Sequence, residues 1–166
     1  MSLTQERLKE LFDYNQETGE LVRKVSVANH LSGEVAGGLM PRGYISVSVD
    51  GGRYYAHRII FVWMMGRDPK DEIDHIDQNR TNNCWENLRE VTRTENCKNS
   101  RLREDNTSGR VGVCWAKSCQ KWVARIYVNK KQVSLGYFES FQDACDARTK
   151  AERKYGYHPN HGRQAA

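Results

Sequence analysis

The stretch IDHIDQNRTNNCWENLREVTRTENCKN, residues 73–99, places Asp74, His75 and Asp77 close together and follows them with six asparagines. Asparagine is a poor filler for the interior of a helix or a strand, so this density means loop building, ligation or catalysis rather than ordinary core. Asp74 and Asn96 offer hard oxygen donors suited to Mg²⁺ or Mn²⁺, ions that keep several waters and take substrate phosphate as a ligand. His75, neutral near physiological pH, can take a proton from water. A divalent ion that steadies phosphate charge beside a base that activates water is enough for phosphodiester hydrolysis.

Such groups need elements to hold them. EIDH and NLREV read as extended segments, and IDQNRTNNCWE between them is a loop rich in side chains that bond their own backbone, with Asp77 and Asn79 as loop-makers. Thr92 followed by Glu95 is a capping-box pattern, so a helix begins near Arg93 and presents Asn96. The order is strand, loop, strand, helix. Upstream, Thr4 can cap a short helix carrying Leu8, Leu11 and Phe12, GYISVSVDGGRYYA alternates into a β-hairpin, and HRIIFVWMMG is a compact apolar helix over 57–65 ended by Gly66. Downstream, EDNTSG is a polar connector, followed by three short strands in RVGVCWA, KWVARIYV and VSLGYF. Ser140 and Asp143 then open a helix with Ala144, Ala147 and Ala151 on one side, small enough to lie close on a sheet.

The fold class expected is α+β. The divisions are a scaffold of helix and short strands over 1–42, a catalytic unit over 43–103, a linker at 104–107, a sheet-and-helix domain over 108–157, and a flexible tail at 158–166. No apolar run is long enough to span a bilayer, and the charged N-terminus is no secretory signal, so a cytoplasmic protein is expected. Five cysteines without a CxxC pair fit neither a closed disulfide framework nor structural zinc, and they read as free, buried thiols. The net charge of +5 is unevenly spread: residues 98–154 carry thirteen Lys and Arg against six Asp and Glu, giving +7, and the remainder sums to −2. Interleaved with Trp115, Trp122, Tyr127 and Tyr137, that basic stretch has the footprint of a nucleic-acid binder.

The run DH, N-x-x-N-N, ENLR, T-x-x-E-N-x-x-N resembles the HNH endonucleases of the bacteriophage and homing-endonuclease branch, with their ββα-metal site, over roughly Gly43 to Arg103. The resemblance implies His75 as general base, Asp74 and Asn96 as holders of one divalent metal at the scissile phosphate, and Asn87 as the middle residue of the motif. An amide is unfit as a base, so Asn87 is expected to brace the loop. The third motif position is Asn96 rather than histidine, which favours Mg²⁺ or Mn²⁺ over Zn²⁺. His57 is expected to be buried against the catalytic unit, whereas His161 has no local partner and receives no role.

Residues 108–156 resemble the APETALA/ethylene-response-factor (ERF) type DNA-binding domain through GV-x-W, KW-x-A-x-I, LG-x-F and the alanine-rich helix. That resemblance implies a three-stranded sheet laid into the major groove of double-stranded DNA. The candidate contacts are Arg110, Trp115, Lys117, Lys121, Trp122 and Arg125, although strand alternation sends some of them to a buried face and leaves Trp115 and Trp122 open between core and contact. The reading is a phage or free-standing homing endonuclease with a DNA-targeting domain. Its rivals are a DNA-binding regulator with a decayed nuclease unit and a nuclease acting on RNA or structured DNA. One HNH unit cuts one strand, so double-strand cleavage would call for a homodimer.

Overall fold

The computed structural model describes residues 3–27 and 29–163. It is an α+β protein whose chain divides into two compact units, Met1–Arg93 and Thr94–Ala166.

In the first unit, the Thr4 hydroxyl accepts the Arg7 N–H at 3.3 Å and starts helix α1 (Gln5–Leu11), which buries Leu8 and Leu11. Phe12, expected on the helix, instead opens β1 (Phe12–Tyr14), paired antiparallel with β2 (Leu21–Arg23). Strands β3 (Gly38–Leu39), β4 (Ile45–Val49) and β5 (Gly52–Tyr55) form a second sheet in that order. The β4–β5 turn is Asp50–Gly51, both at positive φ, as a two-residue turn matched to strand twist requires. Helix α2 (Ala56–Met65) follows without a gap and ends at Gly66, which is left-handed. Its Ile59, Ile60 and Val62 join Leu8, Phe12 and Val47 as the fully buried core. Each such side chain contributes roughly 1.5–3 kcal/mol by leaving water. Gln5 ties the two helices together by donating to the Trp63 carbonyl at 2.7 Å, an end-of-helix acceptor that would otherwise lack a partner.

Strands β6 (Glu72–His75) and β7 (Leu88–Val91) make an antiparallel pair, joined through the loop and a 3₁₀ turn at Trp85–Asn87. The approach to β6 is fixed by Glu90, which accepts both ends of the Arg67 guanidinium and the N–H groups of Lys70 and Asp71. The Arg67 hydrogen bonds hold the Glu90 carboxyl down to about 2. The chain passes into the second unit within the short helix α3 (Arg93–Cys97).

The second unit is a sheet of β8 (Val113–Ala116), β9 (Lys121–Val128) and β10 (Lys131–Phe138), with β9 central, packed on helix α4 (Phe141–Lys154). Ser140 caps α4 by accepting from the Gln142 N–H at 3.1 Å. The packed stripe of α4 is Ala144, Arg148 and Ala151 rather than the expected alanine triplet. Ala147 is only half-buried, while Arg148 is 3% exposed, because the charge of Arg148 is answered inside the unit. Its guanidinium donates to Glu152 at 2.8 Å and to the Arg125 carbonyl, and it faces His161 Nε2 at 3.3 Å.

Two segments outside the sheet and helix are fastened by hydrogen bonds as well. The segment read as a linker lies within the second unit, where Ser108 bonds the Val113 carbonyl and Asn106 bonds the Gly109 N–H. The C-terminal segment through residue 163 is fastened rather than loose: His158 N–H bonds Lys98 O, Gly162 N–H bonds Ser100 O, and Leu102 N–H bonds Arg163 O. Neither segment has hydrophobic periodicity, so what secures them is hydrogen bonding and a buried His161 that pattern reading passes over. Asn99 is buried too. The cysteines are free as expected, but none is buried: Cys97, Cys114 and Cys119 are exposed and Cys84 and Cys145 are intermediate. Among the described residues, no helix is long and apolar enough to cross a membrane.

Burial pushes the His161 imidazole down to about 4, with Glu152 opposing and Arg148 and Arg110 assisting. An unfolded histidine titrates near about 6.5, so the unfolded chain takes up a proton that the folded unit refuses. The stability of the second unit is therefore expected to fall as pH drops from about 6.5 toward 4, and to fall less in His161→Gln, where no proton is taken up. Urea midpoints of wild type and variant across that range provide the check.

Candidate active site

The antiparallel register of β6 and β7 sets Asp74 opposite Arg89 and His75 opposite Leu88. One carboxylate oxygen of Asp74 accepts from Arg89 Nε at 3.1 Å and Nη2 at 2.7 Å. Asp74 is nearly buried and paired with Arg89. Adjacent His75 is 4% exposed. Its ring meets the edge of His57 at 5.2 Å between centroids and Tyr44 at 6.1 Å, and its Nε2 lies 3.0 Å from Asn83 Oδ1. Burial lowers the His75 pKa, opposed by the Asn83 hydrogen bond and by the charges of Asp77 and Asp74. His57 is buried, as expected, and burial together with His75 and Arg58 pushes it down to about 3. It packs against the candidate base as a neutral ring.

Between the strands, the loop closes on Asp77. Burial pushes this carboxyl up, but hydrogen bonds from Asn82, the Asn79 N–H and Asn87 outweigh it and hold the group below its ordinary range. Asn87 donates to Asp77 Oδ1 at 2.9 Å and to the Asn82 carbonyl at 2.7 Å, and accepts the Asp77 N–H at 3.0 Å. Asn79 in turn receives the Thr81 N–H and hydroxyl. The asparagine run is thus a set of side-chain bonds that replace the missing strand ladder across a turn of the chain. Asn83 alone turns inward and is 1% exposed.

Residues 54–98 match the family of HNH endonucleases. The matched HNH segment runs from β5 through α2, the β6–loop–β7 hairpin and α3. Protein 3.8 of Escherichia phage T7 is 36% identical over 78 residues, which cover 45% of this chain and 64% of that protein. A solved structure concerned with DNA binding and cleavage by the HNH homing endonuclease I-HmuI aligns with a TM-score of 0.41 at 23% identity, covering 53% of this chain and 50% of that one. The chain thus spans less than two thirds of either relative.

Of the four site residues expected in the HNH segment, Asp74, His75 and Asn87 are brought together in the first unit, and Asn96 lies on α3, in the second. Among the described residues, no three His, Cys, Asp or Glu side chains group as a metal set. Carboxylate and amide oxygens completed by water suit Mg²⁺ or Mn²⁺, whereas zinc takes nitrogen and sulfur. The sequence reading missed Arg89, Tyr44 and Asn83. Arg89 was recoverable from the strand register, since it faces Asp74 directly, but Tyr44 and Asn83 depend on tertiary packing.

In the second unit the six candidate DNA contacts separate. Trp115 and Trp122 pair across the strands at 5.3 Å, and Trp122 packs on Phe141 of α4 at 4.7 Å, so both belong to the helix side of the sheet. Arg110 is held by Glu152 at 2.6 Å. Strand alternation puts Lys121 and Arg125 on the opposite face with Tyr127 and Tyr137, which are 59% and 60% exposed. Lys121 meets Glu139 there at 2.8 Å, and Lys117 is exposed in the β8–β9 turn.

Replacing Asp77 by Asn keeps its shape but turns one acceptor into a donor against Asn82 or Asn87. Amide exchange in loop residues 77–87 is expected to quicken by about tenfold, or ~1.4 kcal/mol, the scale of one charge-assisted hydrogen bond. Exchange in α2 of the same sample is expected to stay unchanged.

Proposed function

We propose that this protein is a metal-dependent HNH endonuclease that hydrolyses phosphodiester bonds of double-stranded DNA, with the second unit as its DNA-binding part. The observation that carries the reading is His75, buried beside Asp74 on the strand pair of the segment that matches HNH endonucleases, where burial lowers its pKa. A base must be unprotonated to work, and burial keeps His75 so.

In this reading His75 takes a proton from water as its oxygen attacks the phosphorus, the bond to the 3′ oxygen breaks, and that oxygen takes a proton from a second water, giving a 5′-phosphate and a 3′-hydroxyl. Asp74 and Asn96 would hold the divalent ion, Mg²⁺ or Mn²⁺, which when bound neutralises charge on the scissile phosphate and the leaving oxygen. Arg89 keeps Asp74 aimed, and Asn87 keeps the loop closed around the base. The ERF-type reading assigns binding to the sheet face opposite α4, where Lys121 and Arg125 meet phosphates or guanine edges and Tyr127 and Tyr137 add ring surface. Lys117 extends that basic surface. Arg110 and Trp122 serve the packing of the domain instead, and Trp115 is exposed on the other face of the sheet from Lys121 and Arg125. A homodimer would let two such units cut both strands.

Supercoiled plasmid incubated with the purified chain and Mg²⁺ or Mn²⁺ is expected to be nicked or linearised, and to stay intact with EDTA. His75→Ala should slow cleavage by about 10²–10⁴-fold, the usual worth of a positioned base. Wild type that binds DNA and leaves it intact under every metal would favour the DNA-binding regulator. Lys121→Ala and Arg125→Ala should each weaken DNA binding and reduce the slope of log affinity against log salt by about one. Trp122→Ala should lower stability first, and melting curves separate the two effects.

A further inference from the structure

We propose that Asn83 is a positioning residue that fixes the tautomer of His75, keeping hydrogen on Nε2 so that Nδ1 is the atom that accepts the proton in hydrolysis. This rests on the nuclease reading for its catalytic meaning, but the tautomer itself is a property of the folded chain.

Hydrogen-bond parity carries the inference. A neutral imidazole has one donor and one acceptor nitrogen, and the partner of one decides the role of the other. His75 Nε2 lies 3.0 Å from Asn83 Oδ1. The amide of Asn83 is oriented by its other end, where Nδ2 donates to the Thr81 carbonyl at 3.4 Å. A carbonyl only accepts, so the NH₂ end must face Thr81 and the oxygen must face the ring. That oxygen also only accepts. Nε2 therefore donates, and Nδ1 carries the lone pair.

Asn83 is itself held from three sides. Its carbonyl accepts the Tyr14 hydroxyl at 2.8 Å, and its N–H bonds Thr81 O at 3.1 Å. Burial raises the Tyr14 pKa, which keeps that hydroxyl a donor. The turn before β2 presses on the same backbone: a Cβ at Gly19, where φ is +76°, would stand 2.5 Å from the Asn83 carbonyl carbon. Asn83 cannot follow the ring if the ring turns, and the ring is confined by His57 and Tyr44. A loop asparagine that is 1% exposed and locked to the first strand pair thus has one outward use, its oxygen on His75.

The test is a direct reading of the His75 ring nitrogens by ¹⁵N NMR in the folded chain with the imidazole neutral, joined to cleavage kinetics. Wild type is expected to show the Nε2–H tautomer. Asn83→Asp, which keeps an acceptor oxygen, should preserve it and keep kcat within about tenfold of wild type. Asn83→Leu, which offers none, should give mixed tautomers and a kcat lowered by about ten- to a hundredfold with KM little changed. An Nδ1–H tautomer in wild type overturns the proposal without any variant, as does an unaltered Nε2–H signal in a folded Asn83→Leu. A wild type with the Nε2–H tautomer but no cleavage under any metal would support the role of Asn83 in setting the ring while removing the nuclease reading.

Discussion

The loop between β6 and β7 must close without a strand ladder, and the Asp77 carboxylate is what closes it. Backbone and side-chain donors from Asn79, Asn82 and Asn87 converge on this one anion. The low cost of leaving the Asp77 charge in place, given so many donors, explains why its acidity is strengthened despite partial desolvation. With the loop drawn in, Asn83 is turned toward the core and His75 is shut away from bulk water at the end of β6. The His75 ring, its Asn83 acceptor and its covering rings all depend on that closure. A longer or more apolar loop would leave the imidazole solvated, with a pKa nearer its ordinary value and no fixed tautomer.

Much of this was legible in the chain. The strand, loop, strand, helix order across 72–97 follows from turn-forming asparagines flanked by short extended runs and from a helix-start signal. The hairpin at Asp50–Gly51 and the stop at Gly66 were legible because they rest on local backbone chemistry, a positive φ that few residues take. Phe12 and Arg148 were not. Phe12 continues the apolar helical pattern of α1, yet tertiary packing draws it into β1. Arg148 lies on a stripe that pattern reading reserves for small apolar residues, and it is buried because Glu152 and His161 answer it from outside that pattern. At the candidate site, residue types pointed to Asp74 and His75, whereas the partners that tune them, Arg89 and Asn83, are defined by register and burial. Alternation along β9 likewise separates Arg125 from Trp122, a division that the composition of the basic stretch hides.

The two units place different demands on charge. In the first, Glu90 on β7 is paired with Arg67 and Asp74 on β6 with Arg89, which leaves a polar but nearly neutral strand pair. In the second, the network of Arg110, Arg148 and Glu152 takes two basic residues out of solution, so the excess positive charge of the sequence is expressed on the sheet, the turns and the outer side of α4. Under the proposed function this separation has a use. Sequence-independent attraction to phosphate belongs on a solvated surface, where salt tunes it, and the hydrolytic base belongs where water is scarce.

The proposed function rests on a divalent ion held at Asp74 beside His75. Diffraction from crystals grown with a DNA duplex and Mn²⁺, recorded where manganese scatters anomalously, measures it most directly. The expected result is one strong anomalous peak bonded by an oxygen of Asp74 and by a DNA phosphate. A peak bonded by other side chains, or DNA bound with no peak at Asp74, would contradict it.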